Sequence, residues 1–373
     1  MNKKIIFLVT EDWYFLSHRL PIALACKNRG YEVYIACKDT GKINQIKEYG
    51  FKCFNLKLYR GYASLFSIFK NIIEIRTVIK ESGASILHAV SIQSIILGLL
   101  ATFFNRNIKF VAAVTGLGSL FLVKNIKTRV IKFLLNIFLI VCLKKKNIKI
   151  IVQNKDDEYF VNKNLLCPLY KIFIIRGSGI DINYHKVQSE PIFPPITISY
   201  VGRIIKDKGI ENLIKAFKLV NKVNKNIKLL LVGSVDKNNI RPISEKFIKD
   251  NNNNNNIEFI GEVEDIREIW KISHIAILLS KREGLPKSLL EAAAVGRAII
   301  STDVPGSREI ALNSINAEIV NLEDVNATVK AILYLAENHE IRKSYGFKSR
   351  ELVEGDMSED KVIANTLSLY QNF

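Results

Sequence analysis

Two carboxylates eight residues apart stand in a stretch otherwise built for a core helix, "SKREGLPKSLLEAAAVGRAIISTDVPGSREI", residues 280–310. Glu291 follows Leu289 and Leu290 and precedes Ala292, Ala293 and Ala294. A carboxylate in that setting is costly to bury without a partner. Pro286 suits the first turn of a helix over Pro286–Val295, which puts Glu291 about one turn in. The amino end of such a helix favours a diphosphate, and a carboxylate beside it can accept hydrogen bonds from the two vicinal hydroxyls of a ribose. Glu283 precedes Gly284, Leu285 and Pro286 in the loop and can reach a sugar beyond the phosphates. An acid that only complements the helix dipole is a reasonable alternative for Glu283 and a weaker one for Glu291.

Cations occur in a second stretch, "SYVGRIIKDKGIENL". Gly202 and Arg203 end a strand-like run, and Lys208 follows five residues after Arg203, across a loop. Arg offers a fork and Lys a point charge, so the two suit one anion with several oxygens. Taken alone they read equally well as two solvated surface cations. In "STDVPGSREI", Pro305 and Gly306 form a turn after a third strand, and glycine there would let backbone amides approach a ligand.

These stretches need strands to position them, and both halves supply alternating strands and helices. The strand-like runs are "KIIFLVT", "YEVYIAC", "SILHAV", "IKFVAAV" and "IKIIVQ", then "ITISYVG", "IKLLLVG", "IEFIG", "IAILLS" and "RAIIST". Helices are expected over Leu20–Arg29, Leu65–Glu81 and Glu211–Val223, among others. Apolar strands alternating with helices imply parallel sheets covered on both faces. Two doubly wound, Rossmann-like α/β domains facing across a cleft follow, joined near the proline-rich Ser189–Pro195. The expected division is 1–185, 196–354, and 355–373 as a C-terminal helix returning to the first domain. Ligands in this architecture sit outside the carboxyl ends of the strands, where the three stretches fall. "DNNNNNN" at Asp250–Asn256 reads as a low-complexity loop.

The chain of 373 residues carries a net charge of +18, unevenly. Residues 1–190 hold 29 Lys and Arg against 12 Asp and Glu, whereas residues 191–373 hold 25 against 24. Between Glu81 and Asp156 there are 11 basic residues and no acidic one. Such a field attracts nucleic acid or an anionic membrane, and a coding bias toward Lys and Asn would not leave the second half balanced. No aromatic-interleaved basic motif or zinc pattern supports nucleic acid. "VIKFLLNIFLIVCL" has 14 residues before "KKK", too few to span a bilayer, and is expected as a buried helix with a basic rim resting on lipid. The five scattered cysteines, with no C-x-x-C, fit a reducing cytosol. "IIFLVT" after Lys3 and Lys4 is too short for a secretory leader and is expected as the first strand.

"VGR…KG" followed by Glu-x7-Glu within "EGLPKSLLEAAAVG" resembles the family 4 glycosyltransferases of the GT-B fold, over nearly the whole chain and most strongly from Ile198 to Ile310. "GSGID", Gly177–Asp181, is also similar. The resemblance implies a retaining transferase that needs no metal or other cofactor and moves a hexose or N-acetylhexosamine from a nucleotide sugar, UDP-linked. Its acceptor would be a lipid-linked saccharide used in surface polysaccharide assembly, at the cytoplasmic face of an anionic membrane. It implies that Arg203 and Lys208 bind the donor diphosphate, that Glu291 holds the ribose, and that Glu283 lies beside the transferred sugar. Gly202, Gly284, Leu285 and Pro286 complete the donor site, and Glu283, Arg203 and Lys208 carry the catalysis. No Asp-x-Asp pair occurs anywhere in the chain, so protein cations must neutralise the leaving diphosphate. A sugar-nucleotide epimerase of the same architecture is the alternative enzyme, and a nucleic-acid-binding protein the alternative from another class.

The first half departs from the family pattern. Its first strand–helix loop, "TEDWYFLSHRLPIA", has no glycine. Arg19, near Pro21, is a candidate for an acceptor phosphate and equally a surface cation. Thr115 and Gly116 of "VTGLGSLF" are further acceptor candidates, and no histidine stands near Thr115 to act as a base. His88 reads as a cleft residue or a satisfied core histidine, and Trp13 as an acceptor groove or core cover.

Overall fold

The structure, a computed structural model, describes residues 3–58, 65–116, 126–236, 241–252 and 256–373, without the side chains of Leu65 and residues 126–132. The chain divides into one unit of Met1–Ser178 with Asp360–Phe373, and a second of Gly179–Glu359.

In the first unit, β1 (Lys4–Glu11), β2 (Glu32–Lys38), β3 (Lys52–Asn55), β4 (Ile86–Val90), β5 (Lys109–Ala113), β6 (Ile148–Val152) and β7 (Ile172–Ile174) form a sheet in the order β3-β2-β1-β4-β5-β6-β7. Each neighbouring pair is parallel. Apolar side chains leave both faces of these strands, so each face has its own core. On one face lie α1 (Asp12–His18), α2 (Leu20–Asn28), α3 (Ile43–Glu48) and the C-terminal α14 (Glu359–Gln371). On the other lie α4 (Leu65–Ser82), α5 (Ile92–Ala101), α6 (Ile126–Leu143) and α7 (Lys155–Asn164). The Asn154 side chain caps α7 by accepting from the Asp157 amide at 2.7 Å.

The segment expected as a glycine-free loop is mostly helix. β1 runs directly into α1, and Arg19 breaks the helical path before α2. Asp12 anchors this start by accepting from the amides of Trp13, Thr40 and Lys42 at 2.7, 2.7 and 2.8 Å. Burial alone would raise its carboxyl, but the Thr40 hydroxyl and those amides hold it below the usual value.

The second unit contains β8 (Ile196–Val201), β9 (Ile227–Val232), β10 (Ile257–Gly261), β11 (Ile275–Leu278), β12 (Ala298–Thr302) and β13 (Ala317–Val320), in the order β10-β9-β8-β11-β12-β13. All pairs are again parallel. Its helices are α8 (Ile210–Val223), α9 (Glu245–Asn251), α10 (Ile266–Lys271), α11 (Lys287–Ala294), α12 (Val325–Glu337) and α13 (His339–Glu354). Strand order reverses between β1 and β4 and between β8 and β11, the switch points where such sheets bind ligands.

Ser189–Pro195 lies inside the second unit. Buried Arg297 donates to the carbonyls of Gln188 and Ser189 at 2.8 and 3.1 Å, and buried Arg342 pairs with Glu190 at 3.1 Å. The proline-rich stretch is thus pinned by two guanidinium groups.

Candidate active site

The carboxyl end of β8 is built on close backbone contact. A Cβ at Gly233, where φ is +134°, would lie 2.0 Å from the Gly202 carbonyl oxygen. Only glycine after β9 therefore lets the two strand ends cross as they do. Tyr200 is fully buried beneath this crossing, and its hydroxyl donates to the Arg203 carbonyl at 2.7 Å. Burial first, and then the charge of Glu283, pushes the Tyr200 phenol well above its ordinary value, with Arg203 opposing. It is therefore a neutral donor that seats Arg203.

The two cations do not share one partner. Arg203 Nη1 pairs with Asp236 at 2.9 Å, their side chains 43% and 15% exposed. Lys208 Nζ pairs with Glu283 at 2.5 Å, at 20% and 10% exposed. The chain is thus folded so that the first and second sequence stretches meet through Lys208 and Glu283. Neither Tyr200 nor Asp236 stands out in the sequence as a site residue.

The turn after the third strand braces the loop that carries Glu283. Gly306 has φ +81°, and a Cβ there would lie 2.3 Å from the Gly284 oxygen and 2.9 Å from the Glu283 carbonyl carbon. Its lack of a side chain is used to approach the Glu283–Gly284 backbone, where the sequence suggested room for a ligand. Thr302 Oγ1 and Ser301 Oγ of β12 donate to the carbonyls of Ser280 and Leu278 at 2.6 and 3.0 Å, fixing the base of the same loop.

From this loop the chain enters α11. Pro286 occupies the N-cap, its carbonyl accepting from the Leu289 and Leu290 amides at 3.1 and 3.2 Å. Half-buried Leu285 packs on the core, as do Leu289, Leu290 and the three alanines. Glu291 remains 8% exposed. Burial raises its carboxyl above the usual 4.5, while Lys287 and the Trp270 indole oppose the shift. Trp270 Nε1 nevertheless makes no hydrogen bond of ordinary geometry. A surface pocket lined by Lys206, Asn212, Arg241, Lys281 and Glu323 contains none of Arg203, Glu283 or Glu291, and its three cations are already paired.

Among the acceptor candidates of the first unit, Arg19 is buried. Its Nη1 donates to the carbonyls of His18 and Gly177 at 3.3 and 3.2 Å. The guanidinium therefore holds the start of "GSGID". His88 is buried against Phe7, with its Nδ1 on the Tyr370 hydroxyl, tying β4 to α14. Burial and then Arg19 push its ring well below the usual value, so it stays neutral. Arg19 Nε and His88 Nε2, both without a hydrogen-bond partner, belong to residues lining one small cavity. Thr115 and Gly116 are half-buried after β5, and residues 117–121 of "VTGLGSLF" lie outside the described residues. Trp13 Nε1 donates to Glu11 at 2.7 Å. Among the described residues, no three His, Cys, Asp or Glu side chains converge as metal ligands would.

Comparison with known proteins fits this construction. Residues 185–352 match the model of the glycosyl transferases group 1 family, and residues 4–154 that of the glycosyl transferase 4-like family. The chain is 25% identical to the capsular polysaccharide biosynthesis glycosyltransferase CapM of Staphylococcus aureus, over 100% of this chain and 98% of that protein. It is 26% identical to the N,N'-diacetylbacillosaminyl-diphospho-undecaprenol alpha-1,3-N-acetylgalactosaminyltransferase of Campylobacter jejuni, over 86% and 88%. The crystal structure of Anabaena Alr3699/HepE with UDP and glucose superposes with a TM-score of 0.78 at 14% identity, covering 100% of both chains. Transferases of this kind set aside the epimerase and nucleic-acid readings. With both halves matched by models of one enzyme class and two parallel α/β sheets of the GT-B kind, the chain belongs to the glycosyltransferases, group 1 in its second half and 4-like in its first.

Proposed function

We propose that the chain moves a hexose or N-acetylhexosamine from a UDP-sugar to a saccharide carried on a polyprenyl diphosphate, at the inner face of the cell membrane, for surface polysaccharide assembly. The Campylobacter relative is named for such an acceptor, and the Anabaena neighbour holds UDP and glucose. The observation that carries the donor site is the pair of preformed ion pairs after β8, Arg203–Asp236 and Lys208–Glu283. Each cation already holds one carboxylate. A diphosphate offers two negative groups that can take those places.

On entry, the donor diphosphate draws Arg203 and Lys208 onto its oxygens, and the amino end of α11 adds its partial positive charge. Glu291 accepts from the ribose hydroxyls. Glu283, released from Lys208, lies beside the sugar. The acceptor hydroxyl attacks the anomeric carbon on the face that the diphosphate leaves, which retains configuration. The bond to the diphosphate breaks, and the departing phosphate oxygen takes the hydroxyl proton. The cations stabilise charge that develops on the leaving oxygen, so no metal is required. No side chain is assigned as base.

Calorimetry with UDP tests this site. One lost charge-assisted hydrogen bond is worth about 1.5–3 kcal/mol, so Glu291→Ala and Arg203→Ala should each raise Kd on the order of tenfold to a hundredfold. Unchanged affinity in both folded variants would remove the assignment. Radiolabelled nucleotide sugars offered with lipid-linked saccharides identify donor and acceptor.

A further inference from the structure

The first unit exposes apolar side chains in two helical stripes. On α4 these are Phe66, Phe69 and Ile73; on α6 they are Phe133, Leu134, Ile137 and Val141. With Phe104, they are between 45% and 85% exposed. Spacings of three and four residues put each set on one side of its helix. The opposite sides of both helices already face the core, through Ile68, Ile72 and Ile75 on α4 and Leu135, Phe138 and Leu139 on α6. The 14-residue apolar run is therefore not the buried helix its sequence suggested: α6 is apolar on two sides and buries one.

The stripes belong to one face. Helices α4, α5 and α6 share one side of the sheet. Arg76 of α4 donates to the carbonyls of Leu100 and Ala101 at the end of α5, at 3.4 and 3.1 Å. Two residues further, Phe103 stacks on Phe138 of α6 with centroids 6.4 Å apart. Phe104 stands at this junction, in edge contact with Phe103. Four of the six exposed phenylalanines among the described residues lie on this face, so it is a local feature and not a general property of the surface.

Charge decides what covers it. Lys70, Arg76, Lys80, Arg106, Lys144 and Lys146 are exposed on these elements, against exposed Glu81 and half-buried Glu74. Lys145 is occupied differently, with its ammonium 4.0 Å from the Phe103 ring centre. Buried Lys171 donates to the carbonyls of Leu143, Lys144 and Lys145 at 2.9, 3.1 and 2.8 Å, which holds the end of α6 in place. A second copy docking on this face would oppose two cationic surfaces, whereas an anionic bilayer offers both complementary charge and an apolar interior. Among the described residues, no helix is long and apolar enough to cross a membrane.

We propose that α4, Phe104 and α6 form a face that inserts into anionic lipid, with the aromatic side chains at the acyl boundary and the lysines and arginines at the headgroups. Its purpose rests on the lipid-linked acceptor proposed above, which would then be met at the surface that carries it. The test uses the full chain with vesicles of phosphatidylglycerol or phosphatidylcholine bearing brominated acyl chains. Tryptophan emission of Phe133→Trp should be quenched by the phosphatidylglycerol vesicles, and that of Phe347→Trp, an exposed position on α13 of the second unit, should not. Phe69→Glu with Phe133→Glu should weaken vesicle partitioning by about tenfold or more, with thermal unfolding and UDP affinity unchanged. Absence of quenching at position 133, equal partitioning of the double variant, or a dimer that the double variant dissociates would overturn the proposal. Insertion without sugar transfer to any lipid-linked saccharide would support the face and count against the acceptor. Transfer in detergent without vesicle insertion would do the reverse.

Discussion

Gly306→Ala should disable the enzyme without touching any side chain of the proposed donor site. At φ +81° and ψ −46° an alanine is held in a conformation that L residues rarely adopt, which costs about 1–3 kcal/mol. The larger effect is steric. Its Cβ would lie 2.3 Å from the Gly284 oxygen, where ordinary contact begins at 3.4 Å, so the Glu283–Gly284 backbone must retreat by about 1 Å. Displacement of that size at a positioning loop costs on the order of a hundredfold in kcat/KM, about 2.7 kcal/mol. Gly30→Ala separates the two effects. Gly30 also has a positive φ, +79°, but a Cβ there meets nothing within 4 Å, and it follows α2 in the first unit. That variant should lose about 1 kcal/mol of stability and keep kcat/KM within about twofold. The assay is transfer of labelled sugar, read beside thermal unfolding of each variant. If folded Gly306→Ala turns over at the wild-type rate, the contact of Gly306 with the Glu283–Gly284 backbone does not position Glu283. Equal loss in Gly30→Ala would show that backbone strain alone was being measured.

Burial raises the Glu291 carboxyl above 4.5, so in the window just above that value the folded chain holds a proton the unfolded chain has released. The contribution to stability therefore falls as pH rises through the window. UDP affinity should rise over the same window, because only the carboxylate accepts from both ribose hydroxyls, and Glu291→Gln should flatten the dependence; calorimetry across pH checks both. Tyr200→Phe removes the 2.7 Å hydrogen bond to the Arg203 carbonyl and should cost about 1–3 kcal/mol of stability, with UDP Kd rising about tenfold as Arg203 loses its seat; unchanged melting and affinity would deny Tyr200 that role. Transfer should continue in EDTA and give a product with the donor's anomeric configuration by proton NMR, while activity restored only by magnesium or manganese would overturn the metal-free mechanism.

The strands that the sequence makes plainest are those with four or more apolar residues in a row, such as "KIIFLVT" and "IKLLLVG". The short strands β3 ("KCFN"), β7 ("IFI") and β13 ("AEIV") escape because three or four residues cannot display a period. Helix α1 escapes because its cap residue, Glu11, makes no side-chain capping bond and its aromatics follow the strand without a break. Glu283 and Lys208 are visible as residue types in a pattern, yet their contact spans 75 residues and exists only in three dimensions. Tyr200 and Asp236 act through that third dimension alone. Gly233 did leave a trace: "ITISYVG" and "IKLLLVG" both end in Val-Gly, the repeat of two neighbouring strand ends that must cross closely. The outer face of α6 escapes for a different reason. Composition reports how much apolar surface a helix carries, and only packing reveals how much of it the sheet can cover.

The two ion pairs after β8 differ in a way that bears on what the site accepts. Arg203–Asp236 is the more exposed, and water and salt weaken it, so its exchange for a ligand oxygen is nearly free. Lys208–Glu283 is more enclosed, and separating it leaves two poorly solvated charges unless an anion replaces the carboxylate. On the proposed reading, one phosphate can satisfy Arg203 without disturbing Glu283, whereas a second is needed to take Lys208. Glu283 would then be freed to face the sugar only when a diphosphate is in place. The same replacement supplies Lys208 with an anion at the oxygen that leaves, so recognition of the donor and stabilisation of the leaving group become one event.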